Sequence, residues 1–256
     1  MNDAMLHLKR GVARLICRPW IGQVLGAVLR NHIPNYGRMI DTSSPLVTPT
    51  IKAMIFWRLY ENAEITLVRR FLRRDLDIVE LGSSLGVVSS HIAHLTPPAH
   101  KLICVEANPQ LVDIIRTNVH LAAPSREVWV QNRAIAYGTA DSEVSLRGDS
   151  TLSGRITAHK MPDPLSQRVK AVTLSQILAE HSIQEYALVA DIEGAEWQMF
   201  QSDGFALQNC RQVIIELHDA AATRQGKDIP EMLRMLKQRH GFAVRATRGN
   251  VFVFEK

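Results

Sequence analysis

The sequence predicts an α/β fold built on a doubly wound, mostly parallel β-sheet, and three observations lead to this prediction. Short, almost wholly apolar runs alternate with segments of helical periodicity over most of the chain. A glycine turn follows the first of these runs, as at the strand-to-helix turns of such sheets. Two strand-like segments joined by a tight glycine turn close the chain. Continuous apolar runs are typical of parallel strands that helices cover on both faces.

The predicted elements follow one another in a regular order. Five apolar runs predict the strands of the parallel sheet, at 77–81, 101–106, 128–131, 186–191 and 211–217. Helical periodicity predicts the intervening and following helices at 87–95, 109–122, 174–181, 195–201 and 229–240. Segments 242–247 and 250–255 predict a C-terminal antiparallel hairpin. Residues 138–173 interrupt this order as an insertion, with strand pieces at 143–146 and 168–174 around a polar loop at 148–164.

The chain is predicted to divide into an N-terminal helical extension, residues 1–75, and a main domain, residues 76–256. Residues 1–46 predict one or two short helices with a loop at 32–37. Thr48-Pro49 predicts the start of a single long helix that ends near Leu72, because a cap hydroxyl precedes a proline in the first turn.

The extension is basic, with twelve Lys/Arg against five Asp/Glu in residues 1–75, whereas the remainder holds eighteen against twenty. A basic segment of this kind either faces an anionic partner or forms a solvated helix face. Peripheral contact with a membrane surface stays an open alternative, through the apolar side chains of Trp20, Ile21, Val24, Leu25 and Val28. Three widely spaced cysteines without a CxxC pair indicate a reducing, cytoplasmic location.

The glycine turn after the first strand predicts a site for an adenosine-containing cofactor. Gly82 lets the backbone leave the strand, and Gly86 lets the following helix approach a ligand closely. A dinucleotide turn needs a middle glycine for the pyrophosphate, and Ser84 stands there, beside Ser83. The turn therefore suits S-adenosylmethionine, which has no phosphate, and Glu80 at the strand end is placed to attract its cationic methionine group.

A second acidic residue, Glu106, ends the next apolar run twenty-four residues after Gly82. A carboxylate at this position can accept hydrogen bonds from both ribose hydroxyls of an adenosine. Ala107 and Asn108 follow it in the same predicted cofactor loop. The coincidence of this acid with the glycine turn favours a cofactor site over an incidental pair of strand ends.

Two further strand ends carry the candidate catalytic residues. Asp191, at the end of the fourth apolar run, is a candidate for cofactor binding as well as for catalysis, and Glu193 and Glu196 follow it. Glu216 and His218 lie at the end of the fifth run. In a doubly wound sheet these ends border the ligand crevice. Helix capping alone is an alternative explanation for Glu193 and Glu196. The sequence predicts no metal ligands, although a catalytic divalent ion stays open.

In its motifs the chain resembles the FkbM-type S-adenosylmethionine-dependent methyltransferases, over roughly residues 48–256. The segments that carry the resemblance are Tyr60–Glu64, Glu80–Gly86, Glu106–Pro109, Asp191–Glu196 and Glu216–His218. The resemblance implies a class I methyltransferase fold with a Rossmann-like sheet. It also implies O-methylation of a sugar, polysaccharide or other secondary-metabolite hydroxyl, with a small-molecule or glycan acceptor. The family often has Asp-Val-Gly-Ala-Asn in the glycine turn, where this chain has Glu-Leu-Gly-Ser-Ser.

Methyl transfer to a hydroxyl needs a group that removes its proton as the new bond forms. His218 is the first candidate because an unperturbed imidazole titrates near neutral pH, and Asp191 and Glu193 are the alternatives. Tyr60, Glu61 and Glu64 are expected to close the pocket together with Glu196 and Glu216, although ordinary helix packing also explains the first three.

Three other functions compete with this prediction. A nicotinamide-dependent oxidoreductase is disfavoured by the missing middle glycine and by the absence of a Tyr-x-x-x-Lys pair. A nucleic-acid methyltransferase is disfavoured because the acidic stretch that begins at Asp191 would repel phosphates, so no nucleic-acid partner is expected. A non-catalytic binding protein that retains the fold is the third alternative.

Overall fold

The computed structural model describes residues 13–138, 143–148, 154–157, 166–219 and 227–256. The chain divides into two compact units, residues 1–62 and residues 63–256. The division falls before the predicted boundary at 75/76, because the helix Asn62–Phe71 belongs almost wholly to the second unit. In the described part of the chain, no helix has both the length and the apolar character needed to cross a membrane.

The elements of the first unit whose full bounds lie among the described residues are α1 (Pro19–Val28), the hairpin strands β1 (His32–Asn35) and β2 (Arg38–Asp41), and α2 (Pro49–Phe56). The predicted loop at 32–37 is wrong, since β1 pairs antiparallel with β2. The two turn residues, Tyr36 and Gly37, both have positive φ angles, of 45° and 83°, as tight hairpin turns require. Pro34 is tolerated inside β1 because this strand has only one neighbour in its sheet.

The single helix predicted from Pro49 to Leu72 is also wrong, since α2 ends at Phe56 and α3 begins at Asn62. The predicted start is confirmed, because Thr48 caps α2 by accepting a hydrogen bond from the N–H of Ile51. Arg58 and Glu61 break the helix with φ angles of 58° and 45°, a conformation that helices exclude.

Helix α1 packs against the start of α2 through a face that carries two glycines, Gly22 and Gly26. A Cβ atom on Gly22 would lie 1.6 Å from the carbonyl oxygen of Pro49, so a side chain would collide with rigid backbone. Gly26 faces the flexible side chains of Asn31 and Lys52 instead, and a Cβ there would meet them at 2.9 Å and 3.3 Å. This glycine face sets the orientation of α1, and with it the residues that the helix turns outward.

The second unit is built on a seven-stranded sheet of strand order β12-β13-β11-β10-β3-β4-β5. Its strands are β3 (Asp77–Leu81), β4 (Leu102–Glu106), β5 (Trp129–Asn132), β10 (Tyr186–Ala190), β11 (Cys210–Glu216), β12 (Ala243–Arg248) and β13 (Val251–Glu255). Its helices are α3 (Asn62–Phe71), α4 (Val87–Leu95), α5 (Val112–Ala122), α6 (Leu174–Glu180), α7 (Glu196–Ser202), α8 (Gly204–Gln208) and α9 (Ile229–Gln238). The predicted α/β fold is confirmed.

The sheet is parallel apart from β13, which runs antiparallel to both of its neighbours, β11 and β12. The predicted C-terminal hairpin is thereby confirmed, and β13 is inserted between β11 and β12. The central strands β3 and β10 are adjacent, and the chain continues from them to opposite edges of the sheet. This switch in direction opens a crevice beyond their carboxyl ends, where ligands bind in doubly wound sheets.

The insertion after β5 forms a second, four-stranded sheet of order β6-β9-β7-β8. Its strands are β6 (Ala134–Ile135), β7 (Glu143–Gly148), β8 (Gly154–Thr157) and β9 (Ser166–Val172). The two predicted strand pieces correspond to β7 and β9. The prediction of one continuous loop at 148–164 is wrong, because β8 lies within it, while 149–153 and 158–165 lie outside the described residues.

Alanine in place of glycine usually stabilises a helix, but the glycine face of α1 predicts the opposite effect at Gly22. Gly22→Ala should lower the free energy of unfolding by about 2 kcal/mol, because its Cβ would force α1 away from the Pro49 carbonyl. Gly26→Ala is the matched control and should stay within about 1 kcal/mol of wild type, because the side chains near it can move. Thermal and urea unfolding of the full chain measure both, and equal stability of the two variants would contradict this packing.

Candidate active site

The glycine turn after β3 is held against the end of β10. A Cβ atom on Gly82 would lie 1.8 Å from the carbonyl oxygen of Asp191, and the φ angle of Gly82 is +80°, so only glycine fits. Ser84 also has a positive φ, of 49°. Gly86 was expected to let the following helix approach a ligand closely. In the structure it lies against α5, where a Cβ atom would be 2.8 Å from Cα of Ile115. Gly86 therefore allows helix packing.

Glu80 lies inside this turn as a buried acceptor. Its Oε2 accepts hydrogen bonds from the hydroxyls of Ser83, at 3.1 Å, and Ser89, and from the thiol of Cys104, at 3.2 Å. Burial raises the pKa of Glu80 to about 7, although these three hydrogen bonds favour the ionised form. Glu80 thus fastens the turn to α4 and β4, and its expected attraction for the cofactor stays a prediction.

Glu106 joins two loops at the end of β4. Its Oε2 accepts the N–H of Ser84 at 2.8 Å, and its Oε1 accepts the N–H of Asn108 at 2.7 Å. Burial raises its pKa to about 7 against the effect of these hydrogen bonds. Each carboxylate oxygen keeps a second lone pair, so both can still accept a ribose hydroxyl. The carbonyl of Ala107, next in the loop, accepts a hydrogen bond from Asn132 at 2.9 Å.

The loop after β10 bends sharply and presents its carboxylates to one side. Glu193 and Gly194 follow each other with φ angles of 48° and 105°. The bend begins at Asp191, whose N–H bonds to the carbonyl of Leu81 at 2.9 Å, and ends where Glu196 starts α7. Glu196 accepts the N–H of Gly194 at 3.1 Å, ahead of the helix, while the N-cap residue of α7, Ala195, has no side-chain cap hydrogen bond. The helix capping considered for Glu196 from the sequence is therefore not found, and Glu196 has another contact.

That other contact is with His218, around which the carboxylates of this loop gather. His218 Nδ1 bonds to Oε1 of Glu196 at 2.8 Å. His218 Nε2 lies 3.7 Å from Oδ1 of Asp191 and 3.6 Å from Oε2 of Glu193. The structure therefore brings together all three predicted catalytic residues, from two adjacent strand ends.

The charges of this cluster shift the pKa of its members. Burial acts to lower the pKa of His218, but the hydrogen bond that His218 donates to Glu196 and the charges of Glu196, Asp191 and Glu193 outweigh it and raise the pKa to about 9. Burial raises the pKa of Asp191 to about 7, while His218 acts in the opposite direction. His218 is accordingly a cation at neutral pH.

Two more carboxyl groups enlarge the cluster. Burial, and then a hydrogen bond with Glu64 from α3, raise the pKa of Glu216 to about 8. The charge of Glu64 also raises the pKa of Asp191, so the Glu64–Glu216 pair adjoins the group around His218. The cluster thus contains more carboxyl groups than its single imidazole can balance, three of them in contact with His218, and the site attracts cations.

Two of the predicted site residues lie in the first unit of the chain, whereas the others lie in the second. Tyr60 and Glu61 belong to the first unit, so their role in closing the pocket stays a prediction. Two contacts of Glu80 were not predicted from the sequence, namely those with the hydroxyl of Ser89 and the thiol of Cys104. Only the positions of these two residues hint at the contacts in the sequence. Ser89 lies in the first turn of α4, and Cys104 pairs with Glu80 across the sheet.

The cluster also has a spacing that a metal could use. Ligand atoms of Asp191, Glu193 and His218 all lie within 4.8 Å of one another. Carboxylate oxygens and imidazole nitrogens both coordinate divalent cations such as zinc. Sequence spacing alone did not predict this arrangement, since the three residues come from two different strand ends.

The sheet order and the ligand crevice define a class I methyltransferase fold. The family model described as the methyltransferase FkbM domain matches residues 86–244. The chain therefore belongs to the FkbM methyltransferase family, which confirms the resemblance predicted from its motifs. No curated protein matches the chain.

Several solved structures are distantly similar to this chain. A precorrin-6y C5,15-methyltransferase from Geobacter metallireducens has 15% identity and a TM-score of 0.42, covering 77% of this chain and 88% of its own. Aeropyrum pernix fibrillarin with bound S-adenosyl-L-methionine has 11% identity and a TM-score of 0.45, with 75% and 72% covered. An O-methyltransferase from Bacillus cereus has 13% identity and a TM-score of 0.41, with 75% and 79% covered.

The buried carboxyl group of Glu80 predicts a specific pH dependence of stability. Its pKa is about 7 in the folded chain and near 4.5 when unfolded, so stability falls as pH rises between these values. Glu80→Gln removes this loss and keeps an oxygen acceptor for the three donors. The free energy of unfolding of the variant, relative to wild type, should therefore rise by roughly 2–3 kcal/mol between about pH 5 and about pH 8.

The matched control for this measurement is Glu127→Gln, a change at an exposed glutamate. It should reproduce the wild-type dependence of stability on pH in urea unfolding. Parallel curves for wild type and Glu80→Gln over the whole range would contradict the burial of an ionisable Glu80.

Proposed function

We propose that this protein is an S-adenosylmethionine-dependent O-methyltransferase that acts on a hydroxyl of a sugar or of another small acceptor. The observation that supports this proposal best is the set of carboxylates at the switch point of the sheet, beyond the carboxyl ends of its central strands. Glu106 ends β4, and the cluster of Asp191, Glu193 and His218 lies beyond β10 and β11. This arrangement offers a ribose acceptor and a cation-attracting site along one edge of the sheet.

The residues present fit S-adenosylmethionine. When bound, this cofactor supplies a methyl group on a positively charged sulfur. Glu106 is held at both oxygens by backbone N–H groups, which aims its remaining lone pairs outward for the ribose hydroxyls. Gly82 leaves no side chain between the turn and Asp191, and the net negative charge of the cluster favours a cationic ligand.

Asp191 is the proton acceptor that the geometry favours. His218 was the first candidate, but an imidazole with a pKa near 9 already holds its proton at neutral pH. Asp191 Oδ1 is buried and accepts no hydrogen bond from any described residue. His218, oriented by Glu196, then stabilises the charge of Asp191 and Glu193. The hydroxyl proton passes to Asp191 as the acceptor oxygen takes the methyl group.

Two features weigh against the two enzymatic rivals. Ser84 stands in the glycine turn at the middle position, where a dinucleotide turn needs a glycine for the pyrophosphate. The carboxylates around His218 would repel the phosphates of a nucleic acid. The insertion sheet β6–β9 follows the cofactor strands in the chain, and it is our candidate for the part that selects the acceptor.

Replacement of Glu106 tests the cofactor assignment. Glu106→Gln should weaken S-adenosylmethionine binding by about 10- to 100-fold, because a neutral amide binds a ribose diol less well than a carboxylate. Titration calorimetry with the full chain measures this change. Glu127→Gln, at an exposed position, should leave the affinity unchanged.

Calorimetry with NADH completes this experiment. The proposal expects no heat of binding for the dinucleotide under conditions in which S-adenosylmethionine binds. Tight binding of NADH without binding of S-adenosylmethionine would contradict the assignment and favour an oxidoreductase.

Replacement of Asp191 tests the role of proton acceptor. Asp191→Asn should lower kcat by at least about 100-fold, while S-adenosylmethionine affinity stays within about threefold of wild type. The wild-type rate should rise with pH through about 7, since Asp191 must be ionised to accept the proton. Release of S-adenosylhomocysteine with a panel of monosaccharides and nucleotide-linked sugars measures the rate.

Asp113→Asn, at an exposed position, is the control and should keep the wild-type rate. Equal losses of binding and turnover in Asp191→Asn would make Asp191 a cofactor ligand and contradict its role as proton acceptor. If Asp191→Asn turned over at the wild-type rate, as the control Asp113→Asn should, the assignment of the active site would be wrong.

A further inference from the structure

The exposed apolar side chains of this protein are concentrated in its first unit. Among the described residues, ten large hydrophobic side chains are exposed, and seven of them lie between residues 13 and 62. The seven are Leu15, Trp20, Val24, Val28, Met39, Trp57 and Leu59. Single exposed apolar residues are ordinary, but concentration in one small unit marks an interaction surface.

Three of these residues form a row along α1. Trp20, Val24 and Val28 follow one another at four-residue spacing, so they lie on one face of the helix, and they are 60%, 52% and 74% exposed. Ile21 and Leu25, which the sequence had also suggested for surface contact, are only partly exposed. We call Trp20, Val24 and Val28 the α1 row.

The α1 row is held outward by the packing of the helix. Gly22 and Gly26 lie on the opposite face, against Pro49 and Lys52. Because a Cβ on Gly22 would already collide with the Pro49 carbonyl, α1 cannot turn to bury the row without losing this close approach. The exposure of the row is therefore part of the folded unit.

The charges around the row match an anionic surface. No charged residue occurs in the ten residues of α1, whereas Arg18 and Arg30 stand exposed just beyond its two ends. Arg14 is exposed one turn before Arg18. Between residues 13 and 62 the sequence has six Lys/Arg, at 14, 18, 30, 38, 52 and 58, against the two acids Asp41 and Glu61.

We propose that the α1 row binds the surface of an anionic lipid bilayer. A short apolar helix face enters the boundary between headgroups and acyl chains, while the arginines at its ends reach the lipid phosphates. Tryptophan favours this boundary because its ring is apolar and its N–H is polar. The helix has only ten residues, so it lies on the membrane and does not span it.

Co-sedimentation of the full chain with vesicles tests this proposal. With equal parts phosphatidylglycerol and phosphatidylcholine, wild type should sediment with the vesicles, and with phosphatidylcholine alone binding should be much weaker. Val24→Asp should lower the partition coefficient by about tenfold, because it places a charge within the row. Arg18→Gln with Arg30→Gln should weaken binding to the anionic vesicles only.

Val244→Asp is the matched control, because Val244 lies on β12 and is 53% exposed, nearly the same as Val24. It introduces the same charge on an element of the second unit, outside the α1 row, and should change the partition coefficient by less than about twofold. Equal losses in both variants would overturn the proposal, since net charge and not the row would then decide binding. Circular dichroism and S-adenosylmethionine titration verify that the variants fold alike.

Two further outcomes are decisive. Absence of wild-type sedimentation with anionic vesicles overturns the proposal. So does a wild-type dimer in sedimentation velocity that Val24→Asp converts to monomer without any vesicle binding, because the row would then join two copies of the chain. Vesicle binding that Val28→Asp also weakens, with Val244→Asp unaffected, supports it.

Discussion

The close approach of β3 and β10 is the constraint on which the rest of the site depends. These central strands pair in parallel, so Gly82 lies against the Asp191 carbonyl with no room for a side chain. One contact therefore joins the glycine turn, which holds Glu80 and reaches Glu106, to the loop that carries the candidate catalytic carboxylates. The proposed cofactor site and the proposed proton acceptor are both positioned from this junction.

The acidic side chains on the two sides of this junction have different roles. Glu80 and Glu106 are occupied by internal donors and hold the turn in shape. Beyond β10, carboxylates outnumber the single imidazole, and their mutual repulsion is relieved only partly by His218. A site that keeps uncompensated negative charge suits the cationic, phosphate-free cofactor proposed for it.

Most of the sheet was predictable because apolar runs and glycine turns are local signals. The failures are local conformations without such a signal: Pro34 lies in a hairpin strand, and positive φ angles at Arg58 and Glu61 break a periodic helix. The strand-end acids of the site were predictable from the rule that ligands bind there. The hydrogen bonds of Ser89 and Cys104, and the pairing of Glu64 with Glu216, depend on long-range packing that no spacing encodes.

A crystal structure of the chain with S-adenosylhomocysteine bound tests the central claim most directly. The account predicts the ribose hydroxyls within hydrogen-bond distance of both Glu106 oxygens, at the turn between Gly82 and Gly86. It also predicts that the sulfur faces the loop that begins at Asp191. A ligand bound away from the carboxyl ends of β3 and β10, or a ribose that does not touch Glu106, would contradict it.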